Sequence, residues 1–303
     1  MPAVAVVGPW AKEKLDTLGR YLDYYTKVLK NQTWCRTIYV DAFAGGGRAV
    51  IRAKRKLPEG QVLLLQEEDA DEGQAEFIAG SPRVALEVAN PFARYVFIEP
   101  DPARHAELID LQREYEERRT ITLLQTDAAS GINWVVAQKI SKKSHRGVAF
   151  LDPFGASLEW RSIEHLARTG LFEVVINFAL SMAIQRMLPN DGNVPEAWRK
   201  TLDGYFGTGD WYSEVYGEPP RGLFEPEGVE KRHDYHDRLL NLYSSRLKAA
   251  FGLVSTPRLI RNQKGAPLYY LIWAGPNPKG LKGADYILQM GEQMKDRPQK
   301  SKT

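Results

Sequence analysis

Hydrophobic and polar positions along the chain follow two different periods. Between residues 9 and 30, Leu15, Leu18, Leu22, Tyr25 and Leu29 recur at three- and four-residue steps, which predicts an amphipathic helix. Short β-branched and aromatic runs predict five strands: Thr37 to Asp41, Tyr95 to Glu99, Thr120 to Leu124, Gly147 to Asp152 and Glu173 to Phe178. Helical segments fall among them at Val84 to Asn90, Ala103 to Glu117 and Glu159 to Thr169. This alternation predicts an α/β fold, a mostly parallel sheet with helices on both faces. From Ser181 to Glu230 the alternation stops. Trp198, Tyr205, Trp211, Tyr212 and Tyr216 lie there among glycines and prolines, the composition of an irregular helical cap. A helix from Tyr235 to Ala250 and a closing strand pair, Leu253 to Ile260 and Pro267 to Trp273, complete the pattern.

The expected organisation is a core over residues 1–180, a cap insertion over 181–234, a return to the core over 235–294 and a polar tail over 295–303. Residues 48–80 change composition twice, from the basic Arg48, Arg52, Lys54, Arg55 and Lys56 to the acidic Glu67, Glu68, Asp69, Asp71 and Glu72, and read as an insertion in the core.

Composition excludes more than it selects. The 303 residues are 43% hydrophobic and 26% charged, which is ordinary for a globular chain, and no run of 18 apolar residues is present. No membrane segment is expected, and a cytoplasmic location is. Cys35 is the single cysteine, so an internal disulfide and a cysteine-based metal site are both excluded. His233, His236 and Asp237 lack further ligands, and no metal is expected. A net charge of +3 permits a nucleic-acid partner without arguing for one.

The chemistry concentrates at strand ends. Asp41-Ala42-Phe43-Ala44-Gly45-Gly46-Gly47 follows the first strand, and glycines there let the backbone pass close to a ligand, or simply turn tightly. An acid at that point opposes a phosphate but suits an ammonium group such as that of methionine. Glu99 ends the second strand, where a carboxylate accepts both hydroxyls of a ribose; Asp101 beside it is also a fair helix cap. Asp127 follows the third strand, at the level of an adenine amino group. Three acids at consecutive strand tips point together to S-adenosylmethionine. Asp152-Pro153-Phe154-Gly155 ends the fourth strand, either as a turn or as a catalytic motif. In the second case the carboxylate takes the hydrogen bonds of an exocyclic amine and the aromatic ring stacks on a base. Asn177, at the end of the fifth strand, and Lys14, on the first helix, are candidates for substrate contact. Trp198, Tyr205 and Trp211 fit a small core better than a base-stacking platform.

Several pieces carry a family resemblance, in order and over most of the chain. They are Tyr39 to Gly45, Gly80-Ser81-Pro82, Val96 to Glu99, Leu151 to Gly155, Val175 to Phe178, Tyr205-Phe206-Gly207 with Trp211, and Tyr269 to Ile272 followed by Lys279-Gly280-Leu281. The sequence resembles the three-Cys-motif partner proteins (TcmP), which are class I methyltransferase-like. The resemblance implies a Rossmann-like fold, S-adenosylmethionine as cofactor, and a partner protein carrying a three-cysteine, radical-enzyme-like motif. The chain is more distantly similar to bacterial ribosomal-RNA adenine-N6 methyltransferases, whose fourth strand ends in Asp-Pro-Pro-Tyr. Here Phe154 stands at the second proline and Gly155 at the tyrosine. The resemblance therefore implies donor binding more strongly than amine methylation. Two functions follow as expectations: a methyltransferase acting on a nucleic acid or a nucleobase amino group, and a non-catalytic, nucleic-acid-binding or regulatory partner that retains the fold.

Overall fold

The computed structural model describes residues 5–7, 10–51, 76–218 and 229–295, and one eight-stranded sheet organises it. Five strands run parallel: β1 (Arg36–Asp41), β2 (Arg94–Ile98), β3 (Ile121–Leu124), β4 (His145–Leu151) and β5 (Phe172–Phe178). Their spatial order is β3-β2-β1-β4-β5. β6 (Arg258–Arg261) and β7 (Pro267–Gly275) form an antiparallel pair, and β7 lies antiparallel against β5. The single strand expected from Leu253 to Ile260 is divided into Leu253–Val254 and β6, both paired with β7. Pro257 lies in the break and has no N–H to give to a ladder.

Both faces of the sheet are covered, so its central strands are buried on both sides rather than alternating; all seven residues of β5 are buried, the polar Glu173 and Asn177 among them. Tyr39, Tyr95, Phe97, Val148 and Phe150 face one layer, formed by α1 (Trp10–Leu29), α2 (Ser81–Leu86) and α3 (Pro102–Tyr115). Ile38, Val40, Ala149, Leu151 and Ile176 face the other layer, formed by α4 (Ala128–Ala137), α5 (Trp160–Arg168) and α8 (Tyr235–Phe251). The same cluster takes in Leu202, Tyr205 and Phe206 of α6 (Glu196–Phe206) and Trp211 and Val215 of α7 (Trp211–Val215). Phe178, Tyr205 and Tyr243 stack at its centre, with centroids 4.5 to 6.1 Å apart. Tyr205 and Trp211 are thus core residues, whereas Trp198 is exposed.

α9 (Pro278–Lys295) returns to the first layer through Ala284, Ile287 and Leu288. No helix is expected there from the sequence, because Gly280, Gly283 and Gly291 depress local helix propensity; packing against α1 overrides it. α4 is not expected either, being a short apolar helix whose only start signal is its cap, Asp127. The ends of the expected insertion pair as strands, Arg48–Ile51 with Glu76–Ala79 and with Ala5–Val7. Residues 52–75 and the tail from 296 to 303 lie outside the described residues. No described helix is long and apolar enough to cross a membrane.

A buried carboxyl ties the layers together. Glu173, on β5, accepts the hydroxyl of Tyr21, which in turn accepts Trp273 Nε1 at 2.6 Å. Burial pushes the Glu173 carboxyl up from 4.5 to about 7. A carboxyl raised on folding stabilises fully below its unfolded value, and that contribution is lost as pH rises through the folded value. Stability should therefore decline between pH 4.5 and 7 at up to about 1.4 kcal/mol per pH unit from this group. Asp41, also pushed up to about 7, acts in the same direction. Urea denaturation of the wild type and Glu173→Gln at pH 5 and pH 8 checks this. The variant should lose less stability than the wild type between the two; equal losses would remove Glu173 as the titrating group.

Candidate functional site

The sheet order locates the site. The chain leaves β1 towards β2 and β3, then returns on the other side of β1 as β4, so connections diverge between the C-terminal ends of β1 and β4. Such a switch point leaves a crevice that backbone cannot fill. Two adjoining cavities lie there, of about 560 and 280 Å³. Phe43, Arg104 and Phe154 line both and form the wall between them.

The loop after β1 is held from below. Asp41 is fully buried, accepts from Phe43 N at 3.3 Å and Tyr39 Oη at 3.2 Å, and also takes the Ser81 hydroxyl. It lines neither cavity, which corrects the expectation that it faces a ligand ammonium: its oxygens are used to shape the loop. Gly45 and Gly47 both have left-handed backbone, with φ of 59° and 73°. Their roles differ. A Cβ on Gly45 would meet nothing within 4 Å, so this position opens to the large cavity. A Cβ on Gly47 would lie 2.7 Å from Leu111 Cδ2, so that glycine also admits α3. Ala44 N donates to Ile98 O at 3.0 Å, which carries the β1–β2 pairing into the loop.

Glu99 is 2% exposed and is the hub of the smaller cavity. Its Oε2 accepts from Gly45 N at 2.9 Å; its Oε1 accepts from Asp101 N at 2.9 Å and Arg104 Nε at 3.0 Å. The Arg104 guanidinium also sits 5.8 Å from the Phe154 ring centroid. Asp127 lines the same cavity; it caps α4 by accepting from Ser130 N and Ser130 Oγ, both at 2.8 Å, and these bonds lower its carboxyl below the usual range. Asp101 caps α3 through Arg104 N at 2.9 Å and lines neither cavity. The expectation that it contacts the ligand is corrected by position, since the structure does not bring it to the crevice with the other acids.

In the larger cavity the ends of β4 and β5 meet. Asp152 accepts from Asn177 Nδ2 at 2.6 Å through one oxygen and from the Lys14 ammonium through the other. Asn177 is 6% exposed, and its Oδ1 is buried with no hydrogen-bond partner. The Lys14 ammonium lies 5.5 Å from the Tyr269 ring centroid, and burial with nearby Asp152 and Glu13 raises the Tyr269 hydroxyl. Pro153 lines the cavity, and Phe154 is 70% exposed at its mouth. Gly155 continues the chain with φ of 65°.

The structure thus gathers Lys14, Phe43, Ala44, Gly45, Gly47, Glu99, Asp127, Asp152, Pro153, Phe154 and Asn177 around one crevice. It adds Arg104, Arg48, Arg186, Trp10, Met182 and Tyr269, none of which is expected at the site from the sequence. Arg104 had a readable signal, in the first turn of the helix that follows Glu99 and the cap Asp101. Arg186 arrives from the cap and had none; Tyr269 arrives from β7 and opens a segment that carries the family resemblance, with no role attached to it.

Fold and crevice define a Rossmann-like α/β protein with a two-chambered crevice at its topological switch point. Among solved structures, it is similar to LPL1258 from Legionella pneumophila at 16% identity, covering 88% of this chain and 97% of that one, with a TM-score of 0.43. A putative O-methyltransferase from Klebsiella pneumoniae shares 10% identity over 89% and 91% of the two chains, with a TM-score of 0.38. A putative methyltransferase from Escherichia coli, yhhF, shares 13% over 85% and 87%, with a TM-score of 0.32. No family model and no curated protein matches the chain. At these values any function rests on the site's own geometry.

Proposed function

We propose that the protein is an S-adenosylmethionine-dependent methyltransferase whose acceptor is a nucleobase amino group within a nucleic acid. The observation that carries the donor half is the joined pair of chambers. Gly45 offers open backbone on the larger side, and Glu99 and Asp127 offer carboxylates on the smaller. A methionine moiety fits the glycine side and a nucleoside fits the carboxylate side. Arg104 holds Glu99 Oε1, so a ribose diol would take the place of that guanidinium. When bound, S-adenosylmethionine supplies a methyl group already activated by its sulfonium charge.

The acceptor half follows from the larger chamber. Of the cations on its lining, Lys14, Arg48 and Arg104 are paired with Asp152, Glu114 and Glu99, while Arg186 has no ion pair among the described residues and suits an anionic group of the substrate. Asn177 Oδ1 is an unused acceptor beside Asp152, which suits a group that donates N–H. The exposed Phe154 ring offers a stacking face at the mouth. Lys14 and Asn177 position Asp152, and catalysis is largely orientation of the acceptor.

Isothermal titration of the full chain with S-adenosylmethionine tests the donor half. Saturable heat at one site per chain is expected; none at micromolar protein would remove the reading. A second reading is favoured by one observation, that both Asp152 oxygens are already engaged. On that reading the chain is a non-catalytic, nucleic-acid-binding partner of a three-cysteine, radical-type enzyme, and the transfer assay below separates the two.

A further inference from the structure

The end of the molecule opposite the crevice carries its own concentration of charge. The segments Lys30 to Arg36 and Lys139 to Arg146 hold six lysines and arginines and no Asp or Glu. They are more than 100 residues apart in sequence, yet β1 and β4 bring them side by side: Arg36 is in register with His145, and Arg36 N donates to Ser144 O at 2.9 Å. Elsewhere the chain has 35 of its 41 Lys and Arg against all 38 Asp and Glu, so the remainder is net acidic. The small overall charge of +3 therefore conceals a basic pole.

None of these six cations is paired with a carboxylate among the described residues. Lys30, Arg36, Lys139, Lys142 and Lys143 are exposed. Arg146 is fixed rather than loose, donating to the Lys142 and His145 carbonyls with its guanidinium 4.8 Å from the Trp34 ring centroid. Trp34 is 45% exposed, an uncommon state for a tryptophan. A second such pair flanks the pole across β1, where Arg94 lies 5.3 Å from the Trp134 ring centroid. Unpaired cations around the exposed edge of one indole, Trp34, with the half-buried Trp134 beside them, are an arrangement that can follow a phosphate backbone while stacking a base.

We infer that this pole, the N-terminal edge of the sheet, is a second binding surface whose partner is single-stranded nucleic acid. It lies about 20 Å from the crevice, the length of the seven-residue β4 at about 3.3 Å per residue. It extends the acceptor class proposed above from a single base to a strand of several nucleotides.

Fluorescence anisotropy with a labelled 20-nucleotide single-stranded RNA, from 50 to 300 mM salt, tests it on the full chain. Lys142→Glu with Lys143→Glu alters two exposed side chains, so folding should be kept. The pair should weaken binding at least tenfold at 100 mM salt and reduce the slope of log affinity on log salt by about 1.4, from about 0.7 per phosphate for single strands. Trp34→Ala should weaken binding at least threefold with the slope unchanged. Wild-type affinity and slope in both variants would overturn the proposal. So would equal binding of polyglutamate or of anionic lipid vesicles, because the surface would then answer to charge alone. This binding needs no methyl donor, so a chain that holds RNA here but gives no heat with S-adenosylmethionine would separate the two proposals.

Discussion

Glu99→Ala is expected to weaken S-adenosylmethionine binding by about 100-fold or more, read by calorimetry against the wild type. A carboxylate replacing two ribose–water hydrogen bonds contributes about 1.5–3 kcal/mol for each charge-assisted bond. Losing both amounts to a factor of about 10² to 10⁴. The variant also leaves Gly45 N, Asp101 N and Arg104 without their common acceptor, which loosens the glycine loop itself. Glu99→Gln separates these effects, since the amide keeps one acceptor oxygen and the side-chain volume. It should bind with intermediate affinity and melt close to the wild type. Full affinity in Glu99→Ala would mean that the small chamber does not hold the nucleoside.

The second large effect belongs to turnover. In a tritiated-methyl transfer assay over RNA, DNA and small acceptors, Asp152→Ala should lower transfer by about 10³-fold, within the range for loss of a positioned acid–base group. Donor binding should stay within about threefold, because both Asp152 oxygens are engaged by Lys14 and Asn177 and the nucleoside side at Glu99 is untouched. Lys14→Met should fall between the two, since it frees one Asp152 oxygen without removing the carboxylate. Transfer that survives Asp152→Ala would retire the catalytic role of the Asp152-Pro153-Phe154 turn. No label on any acceptor with the wild type, alongside normal donor binding, would favour the non-catalytic partner.

Much of this was legible in the residues alone, and the reason is local. Strand and helix periodicity is written in neighbouring side chains, so the five parallel strands and the acids at their tips could be read directly. A glycine run after a buried strand marks a loop by its own backbone freedom. The same local signals misled at Asp41 and Asp101, which sit where ligand carboxylates belong: the first is fully buried beneath its loop, and the second caps α3 outside both cavities. α9 was hidden by its glycines, since only the surface of α1 makes that segment helical.

Register, burial and partnership depend on segments far apart in the chain, and only the tertiary structure decided them. It placed Lys14 on Asp152 across 138 positions, put Arg104 between Glu99 and Phe154, and brought Arg186 and Tyr269 from the cap and β7 to the same crevice. It also joined two modest basic segments into one pole. Short-range patterning specifies which elements form and what chemistry stands at their ends. Which of those groups face a ligand, which face one another, and how charge sums over the surface follow from the packing of the sheet.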